Sequence, residues 1–225
     1  IKKAQMLITD RPVFAECIGP FSLAGRLMNV NDIMLKCYEE PEVVHKVLRK
    51  ATDFIIKYVK ELKQSTANGV IMAEPLAGLL SPSLMSEFST EYVREIVNEV
   101  QDKHFIVIYH NCGSAVPKLL DEIMETGCFA FHFGESVDMQ QILETLPRNY
   151  LILGNISAAH VFNGDSTEHV RLETTKLLNK CARYNNFLIS SGCDIPPNVD
   201  LDNVNKFFET VDNYYYIQRL WNDIS

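Results

Sequence analysis

The sequence lacks two features that would have pointed to a membrane or to nucleic acid. Its apolar runs are only a few residues long, whereas a membrane-spanning helix needs ~20 apolar residues. Basic residues are also in deficit, with 21 Lys and Arg against 29 Asp and Glu and a net charge of −8. No basic stripe is present to neutralise phosphates. We therefore expect a protein that binds neither a membrane nor nucleic acid.

The sequence also lacks the glycine patterns that hold nucleotide phosphates. Neither Gly-x-Gly-x-x-Gly nor a phosphate-loop signature occurs, so a nucleotide-binding open sheet has little direct support.

Cysteine is present at six positions (17, 37, 112, 128, 181 and 193), but four of these lie in or just after strand-like runs. That is not the arrangement of a small secreted disulfide scaffold, and we expect the protein to work in the reducing cytoplasm.

The chain does contain a regular alternation of strand-like and helix-like segments. Short apolar runs predict strands at 13–18, 70–73, 105–109, 128–133, 150–153 and 187–190. Helical spacing of apolar residues predicts helices at 41–63, 83–101, 115–125, 139–145, 168–184 and 201–220, and a polar loop is expected between Pro20 and Pro41. Strands that are apolar on both faces and alternate with helices are typical of a parallel sheet covered by helices.

Polar residues recur where the predicted strands end, which favours a (β/α)₈ TIM barrel over an open sheet. In such barrels the active residues lie at the carboxyl ends of the strands. We therefore predict an α/β fold in which residues 1–225 form a single barrel domain. The polar residues at these strand ends include Glu16, Glu74, His110, Cys112, His132, Glu135, Asn155, Cys193 and Asp194.

Two strand ends carry side chains that suit zinc. His110 and Cys112 follow the apolar run at 105–109, and side chains two apart on an extended chain project to the same side. Cys193 follows another buried strand, and one imidazole with two thiolates matches a zinc site that has a further position to fill. The alternative interpretation is a buried structural cysteine beside a hydrogen-bonded histidine.

Two glutamates are candidates for the remaining zinc position. Glu135 follows the strand that lies between the two halves of the site and is our first choice, and Glu74 is the second. For either residue the alternative is a solvated loop carboxylate without a role in metal binding.

Three segments together resemble the uroporphyrinogen decarboxylase superfamily, and within it the zinc-dependent methylcobalamin:coenzyme M methyltransferases. These segments are His110-Asn-Cys-Gly113, Leu153-Gly-Asn155, and Gly192-Cys-Asp-Ile-Pro-Pro197 followed by Asn203-Val204. The resemblance implies that His110, Cys112 and Cys193 bind zinc. The decarboxylases typically have histidine where Cys193 stands, which favours the methyltransferase branch. Cobalamin-independent methionine synthase has a similar arrangement of ligands, and that analogy supports Glu135 as a ligand.

The chain departs from the family pattern in two respects. Asp194 stands where a glycine is expected after the cysteine. Family members also have an N-terminal portion with the first two barrel strands and, in the decarboxylases, the catalytic aspartate. By this resemblance, the chain looks like strands three to eight of the family barrel. An incomplete barrel exposes unpaired strand edges, so we expect a partner chain, homo-oligomerisation of protomers, or a longer polypeptide.

The resemblance implies transfer of a methyl group from a methylcorrinoid to a thiol such as coenzyme M. Zinc would activate the thiol acceptor, and Glu74 and Asn155 would orient the substrate. The methylcorrinoid would be carried by a separate corrinoid protein, because no cobalamin-binding Asp-x-His-x-x-Gly pattern occurs. Two alternatives remain: a lyase that decarboxylates a tetrapyrrole such as uroporphyrinogen, and a non-catalytic module that binds zinc or a corrinoid.

Overall fold

The structure is a computed structural model that describes residues 1–224, with side chains for residues 1–220. Six strands are present in the described chain: β1 (Phe14–Ile18), β2 (Gly69–Ala73), β3 (Ile106–Asn111), β4 (Ala130–Phe133), β5 (Leu151–Ile156) and β6 (Phe187–Ser191). All six predicted strands are confirmed, with bounds that shift by a few residues. The polar residues His110 and Asn111 extend β3 beyond the apolar run that predicted it.

Helices separate the strands. They are α1 (Lys2–Leu7), α2 (Pro20–Met28), α3 (Val30–Glu39), α4 (Pro41–Gln64), α5 (Pro82–Met85), α6 (Glu91–Val100), α7 (Leu120–Met124), α8 (Met139–Thr145), α9 (Thr167–Cys181) and α10 (Leu201–Ile224). Short 3₁₀ segments cover Pro75–Leu79 and Val116–Lys118, and single π-helical turns cover Ser86–Thr90 and Ala158–Phe162. None of the helices in the described chain is both long and apolar enough to cross a membrane.

The sheet has the parallel arrangement that the alternation predicts. The strands follow one another in the sheet in chain order, β1 to β6. Parallel pairing joins β1 to β2, β2 to β3, and β5 to β6. In the register of the second pair, Ala73 lies opposite His110, so the carboxyl ends of β2 and β3 lie side by side. Residues that follow these two strands are therefore neighbours.

The prediction of a polar loop between Pro20 and Pro41 is wrong, because α2 and α3 occupy this segment. Gly19-Pro20 ends β1 as expected, but Pro20 is also the first residue of α2. Proline suits that position, since its fixed φ is helical and its missing N–H would have no helical partner. The Asn29 side chain then caps α3 by accepting a hydrogen bond from the Asn31 amide.

The helix predicted at 115–125 is shorter than expected. A 3₁₀ turn at Val116–Lys118 precedes the five-residue helix α7. Pro117 lies inside the predicted helix, and a proline there removes a backbone hydrogen bond and clashes with the preceding turn. The predicted helix at 83–101 instead starts at Pro82 and includes a π turn before α6.

The described chain divides into two compact units, residues 1–131 and 132–225. In the first unit, apolar side chains of β2 and β3 such as Val70, Met72 and Val107 are fully buried. In the second, a core cluster joins β5, the π turn, α9 and α10 through Ile156, Val161, Phe162, Val170 and Phe207. The assignment of residues 1–225 to one barrel domain stays a prediction.

Candidate metal centre

The end of β3 presents His110 and Cys112 on one side of the chain. Both side chains are half-buried, whereas Asn111 between them is fully buried. The Asn111 Nδ2 donates to the carbonyl of Glu74 at 2.9 Å, and its Oδ1 accepts from the Gly113 amide at 2.8 Å. Because Asn111 is held on the opposite side of the strand, His110 and Cys112 project together.

Cys193 follows β6 on a backbone that neighbouring segments hold in place. The Gly192 amide donates to the Ile156 carbonyl at 2.7 Å. His132 Nε2 lies 2.7 Å from the Ser191 carbonyl, so this nitrogen carries the proton and donates it. A Cβ on Gly192 would lie only 2.8 Å from the backbone nitrogen of Glu135. Glycine at this position therefore lets the segment that carries Cys193 pack closely against Glu135.

The ligand atoms of His110, Cys112 and Cys193 all lie within 4.8 Å of one another. One imidazole nitrogen and two sulfur atoms form a donor set that zinc prefers over the hard, oxygen-binding cations. Three protein ligands leave a fourth tetrahedral position for a carboxylate, a water or a substrate. The chemistry of the donor set therefore fits the zinc ion that the sequence predicts.

Glu135 does not belong to this group of possible ligands. Its side chain is exposed, and Oε1 accepts a hydrogen bond from the Ser157 hydroxyl at 2.9 Å. Its assignment as the fourth zinc ligand stays a prediction.

Asn155 holds the backbone on both sides of Glu135. Its Nδ2 donates to the carbonyls of Gly134 at 3.0 Å and Val137 at 2.9 Å. The side-chain amide donor is thus occupied by the loop that follows β4. These bonds support a role for Asn155 in shaping that loop, and its predicted role in orienting the substrate stays a prediction.

Glu74 is completely buried at the end of β2, where its carboxylate faces the first turn of α2. It accepts hydrogen bonds from the backbone amides of Phe21 at 3.1 Å and Ser22 at 2.6 Å. Burial raises the pKa of Glu74 to about 7, although the hydrogen bonds from Ser22 and Phe21 act in the opposite direction. These contacts support a structural role for Glu74. Its predicted roles in orienting substrate and as second choice of zinc ligand stay predictions, and it lies outside the group of three.

Sequence reasoning missed Asn111, Ser157 and the contact made by His132. Ser157 caps the π turn at Ala158–Phe162 by accepting from the His160 amide. A serine directly after a strand and before a helical turn is a recognisable capping signal, so this residue could have been found. The contact of His132 with the Ser191 carbonyl joins residues 59 positions apart and leaves no local sequence signal.

Comparison with known proteins places these features in one family. The uroporphyrinogen decarboxylase (URO-D) family model matches residues 2–214. The chain is 29% identical over 203 residues to a uroporphyrinogen decarboxylase of Prochlorococcus marinus (strain NATL1A), covering 87% of this chain and 56% of that one. It is 25% identical over 210 residues to the methylcobamide:CoM methyltransferase MtbA of Methanosarcina acetivorans, covering 92% of this chain and 60% of that one.

A solved methyltransferase from Methanosarcina mazei has the same fold. Its TM-score is 0.84 at 21% identity, over 95% of this chain and 62% of the other. The predicted fold class is confirmed by this likeness. This chain spans less than two thirds of the length of each of these three proteins. With a family model that covers residues 2–214 and a shared fold, the chain belongs to the uroporphyrinogen decarboxylase family.

Proposed function

We propose that this protein is a zinc-dependent methyltransferase that moves a methyl group from a methylated corrinoid protein to a small thiol. The observation that carries the proposal is the group formed by His110, Cys112 and Cys193, whose ligand atoms lie within 4.8 Å of one another. Two sulfur ligands and one nitrogen ligand suit a zinc ion that binds and activates a thiol. The relative MtbA, named as a methylcobamide:CoM methyltransferase, supports the corrinoid donor and coenzyme M as an acceptor.

In this proposal the chain's own residues bind the metal and shape its surroundings. His110, Cys112 and Cys193 would hold zinc, and Glu135 would take the fourth position until a thiol displaces it. Bound zinc would lower the pKa of the incoming thiol, so that the reactive thiolate is present at neutral pH. In the overall reaction a sulfur–carbon bond forms, the cobalt–carbon bond of the donor breaks and leaves its electron pair on cobalt, and the thiol proton is released.

The buried network behind β3 would keep the ligands in register. The Asn111 side chain hydrogen-bonds both the Glu74 carbonyl and the Gly113 amide. These bonds restrict the backbone conformation of the turn that follows His110 and Cys112. Rigid support of this kind reduces the conformational cost of assembling a metal site.

A second candidate function is decarboxylation of a tetrapyrrole. It is favoured by the 29% identity to the uroporphyrinogen decarboxylase of Prochlorococcus marinus. The two thiols in the group of three favour the methyltransferase, because a decarboxylase has no evident need for soft metal ligands. Assays of the purified protein with uroporphyrinogen, and with a methylated corrinoid plus coenzyme M, distinguish the two functions.

The zinc site is tested by elemental analysis. We expect about one zinc per chain in the wild-type protein and a large loss of zinc in Cys112→Ala and Cys193→Ala. Cys128→Ala is the matched control, because Cys128 is buried within the first unit and lies outside the group of three. Undiminished zinc in the Cys112 and Cys193 variants would contradict the site. A metal that binds but resists every added thiol would instead favour a structural role.

A further inference from the structure

We propose that Ser157 is a positioning residue that receives the carboxylate of Glu135 when a thiol takes the fourth zinc position. The inference rests on the proposed function and adds to it a second binding place for the displaced ligand. A carboxylate that leaves a metal competes less with the substrate when a fixed protein donor, in addition to solvent, holds it away from the metal. Ser157 supplies such a donor from within the same unit as Glu135.

The hydroxyl of Ser157 is oriented by its second hydrogen bond. Its Oγ accepts from the backbone amide of His160 at 3.0 Å, as the cap of the π turn. This bond fixes the oxygen and leaves the O–H free to donate to Glu135 Oε1, 2.9 Å away. A hydrogen bond to an ionised carboxylate is stronger than a bond between neutral groups. Ser157 therefore holds the Glu135 carboxylate at one place, as solvent water would not.

The surroundings of this pair also favour a carboxylate. Glu135 and Ser157 line a cavity of about 230 Å³ that is also lined by Lys176 and Lys180. Lys176 pairs with both carboxylate oxygens of Glu173 at 3.3 Å, and Lys180 pairs with Asp138 at 3.7 Å. Their ammonium groups add positive charge to a lining that also holds the carboxylates of Glu135 and Glu173, and the cavity provides room for the side chain.

The backbone of Glu135 is held still, so that only its side chain needs to move. Asn155 donates to the carbonyls of Gly134 and Val137, and Gly192 packs against the Glu135 amide. In the proposal, the carboxylate would pass between metal and Ser157 by rotations about side-chain bonds, which are fast for an exposed residue.

The experiment compares thiol affinity and zinc retention in matched variants. Without the Ser157 hydroxyl, the displaced carboxylate loses a charge-assisted hydrogen bond, so Glu135 stays on the metal more of the time. We expect Ser157→Ala to raise the dissociation constant for 2-mercaptoethanol about fivefold and to slow zinc loss to a chelator. Ser157→Thr keeps both the cap and the hydroxyl and should restore wild-type values.

Two further variants separate this role from loss of a helix cap. Ser166→Ala removes the equivalent cap of α9, where Ser166 accepts from the His169 amide, and it should leave thiol affinity unchanged. In a Glu135→Gln background, adding Ser157→Ala should have no further effect on thiol affinity, because the group that Ser157 receives has been changed.

The outcomes distinguish failure of the inference from failure of the proposed function. A wild-type protein that binds no zinc overturns both. A wild-type protein that binds zinc and thiol, with a Ser157→Ala variant of unchanged thiol affinity, overturns only the role of Ser157. The role of Ser157 is also overturned if Ser166→Ala weakens thiol binding as much as Ser157→Ala does. It is likewise overturned if Ser157→Ala still weakens thiol binding in the Glu135→Gln background.

Discussion

Glu74 illustrates how the surroundings of one residue set its chemistry. An acidic side chain is rarely buried completely unless partners compensate for the lost solvation. Here two backbone amides at the start of α2 donate to the carboxylate, and the helix dipole adds to their effect. Burial nevertheless outweighs these contacts and raises the pKa of Glu74 to about 7. The residue therefore changes its charge near neutral pH.

We expect Glu74 to make the stability of the protein depend on pH. Its pKa is about 7 in the fold against an ordinary 4.5, so the folded state binds the proton more tightly than the unfolded state. The stabilisation is complete below about pH 4.5 and is lost as the pH rises to about 7, with a total effect of roughly 3 kcal/mol. Urea unfolding at pH 4.5 and pH 8, with a chelator present, measures this loss.

Glu74→Gln should remove this part of the pH dependence, because glutamine does not titrate in this range. Glu16→Gln provides the matched control, since Glu16 is an exposed acidic residue on the neighbouring strand β1. A Glu74→Gln variant that keeps the wild-type pH profile would show that the titration of another group is responsible.

The helix α2 depends on one glycine at its start. Gly19 is the residue before Pro20, and a Cβ at this position would overlap the carboxylate of Glu74. The close approach brings the first turn of α2 within hydrogen-bond distance of Glu74. Gly19, which the sequence marks as the end of β1, therefore also lets α2 begin close to Glu74.

Gly19→Ala should destabilise the protein by about 2–4 kcal/mol. The new methyl group would push the Glu74 carboxylate away from the Phe21 and Ser22 amides and leave buried polar groups without good partners. Thermal or urea unfolding measures the change. Gly25→Ala in the same helix is the control. Its Cβ would come too close only to the end of the Leu76 side chain, at 2.6 Å, which can move, and would make an ordinary contact with Ile33 at 3.6 Å; alanine also favours the helix. Equal losses in the two variants would contradict the explanation.

At the scale of the whole molecule, the strand order leaves β1 and β6 at the two ends of the sheet. Exposed apolar side chains lie near β1 in the first unit. A cavity of about 470 Å³ beside β1 is lined in part by Tyr58, whose ring is stacked with that of Phe54. These two side chains are 43% and 59% exposed. An end strand beside exposed aromatic side chains is a surface on which other chains can pair.

We therefore expect the chain to associate in solution, because association would bury the exposed side chains of Phe54 and Tyr58. Light scattering should give a mass above the 25.6 kDa of one chain. The double substitution Phe54→Ser with Tyr58→Ser should reduce the mass, whereas Leu172→Ser should not, although Leu172 on α9 is similarly exposed at 49%. A 25.6 kDa monomer of the unsubstituted chain would contradict this prediction.

Much of the architecture could be predicted because it depends on local patterns. The apolar runs of β2 and β3 and the helical spacing in α4 reflect which faces are buried, and burial is the main contribution to folding. The loop predicted between Pro20 and Pro41 was wrong for a related reason. Proline can end a strand or begin a helix, and only the packing of α2 against its neighbours decides between the two.

The sequence by itself determined that His110, Cys112 and Cys193 would stand at strand ends, because the apolar run before each of them is a strand signal that needs no tertiary information. It could not determine the partners of Glu74, Glu135 and Asn155, since each contacts residues brought near by strand pairing and helix packing. Ser157 is 22 positions from Glu135, and Glu74 is 53 positions from Phe21. Contacts of that range depend on the register of the parallel strands, and the register is decided only when the sheet and its helices pack together.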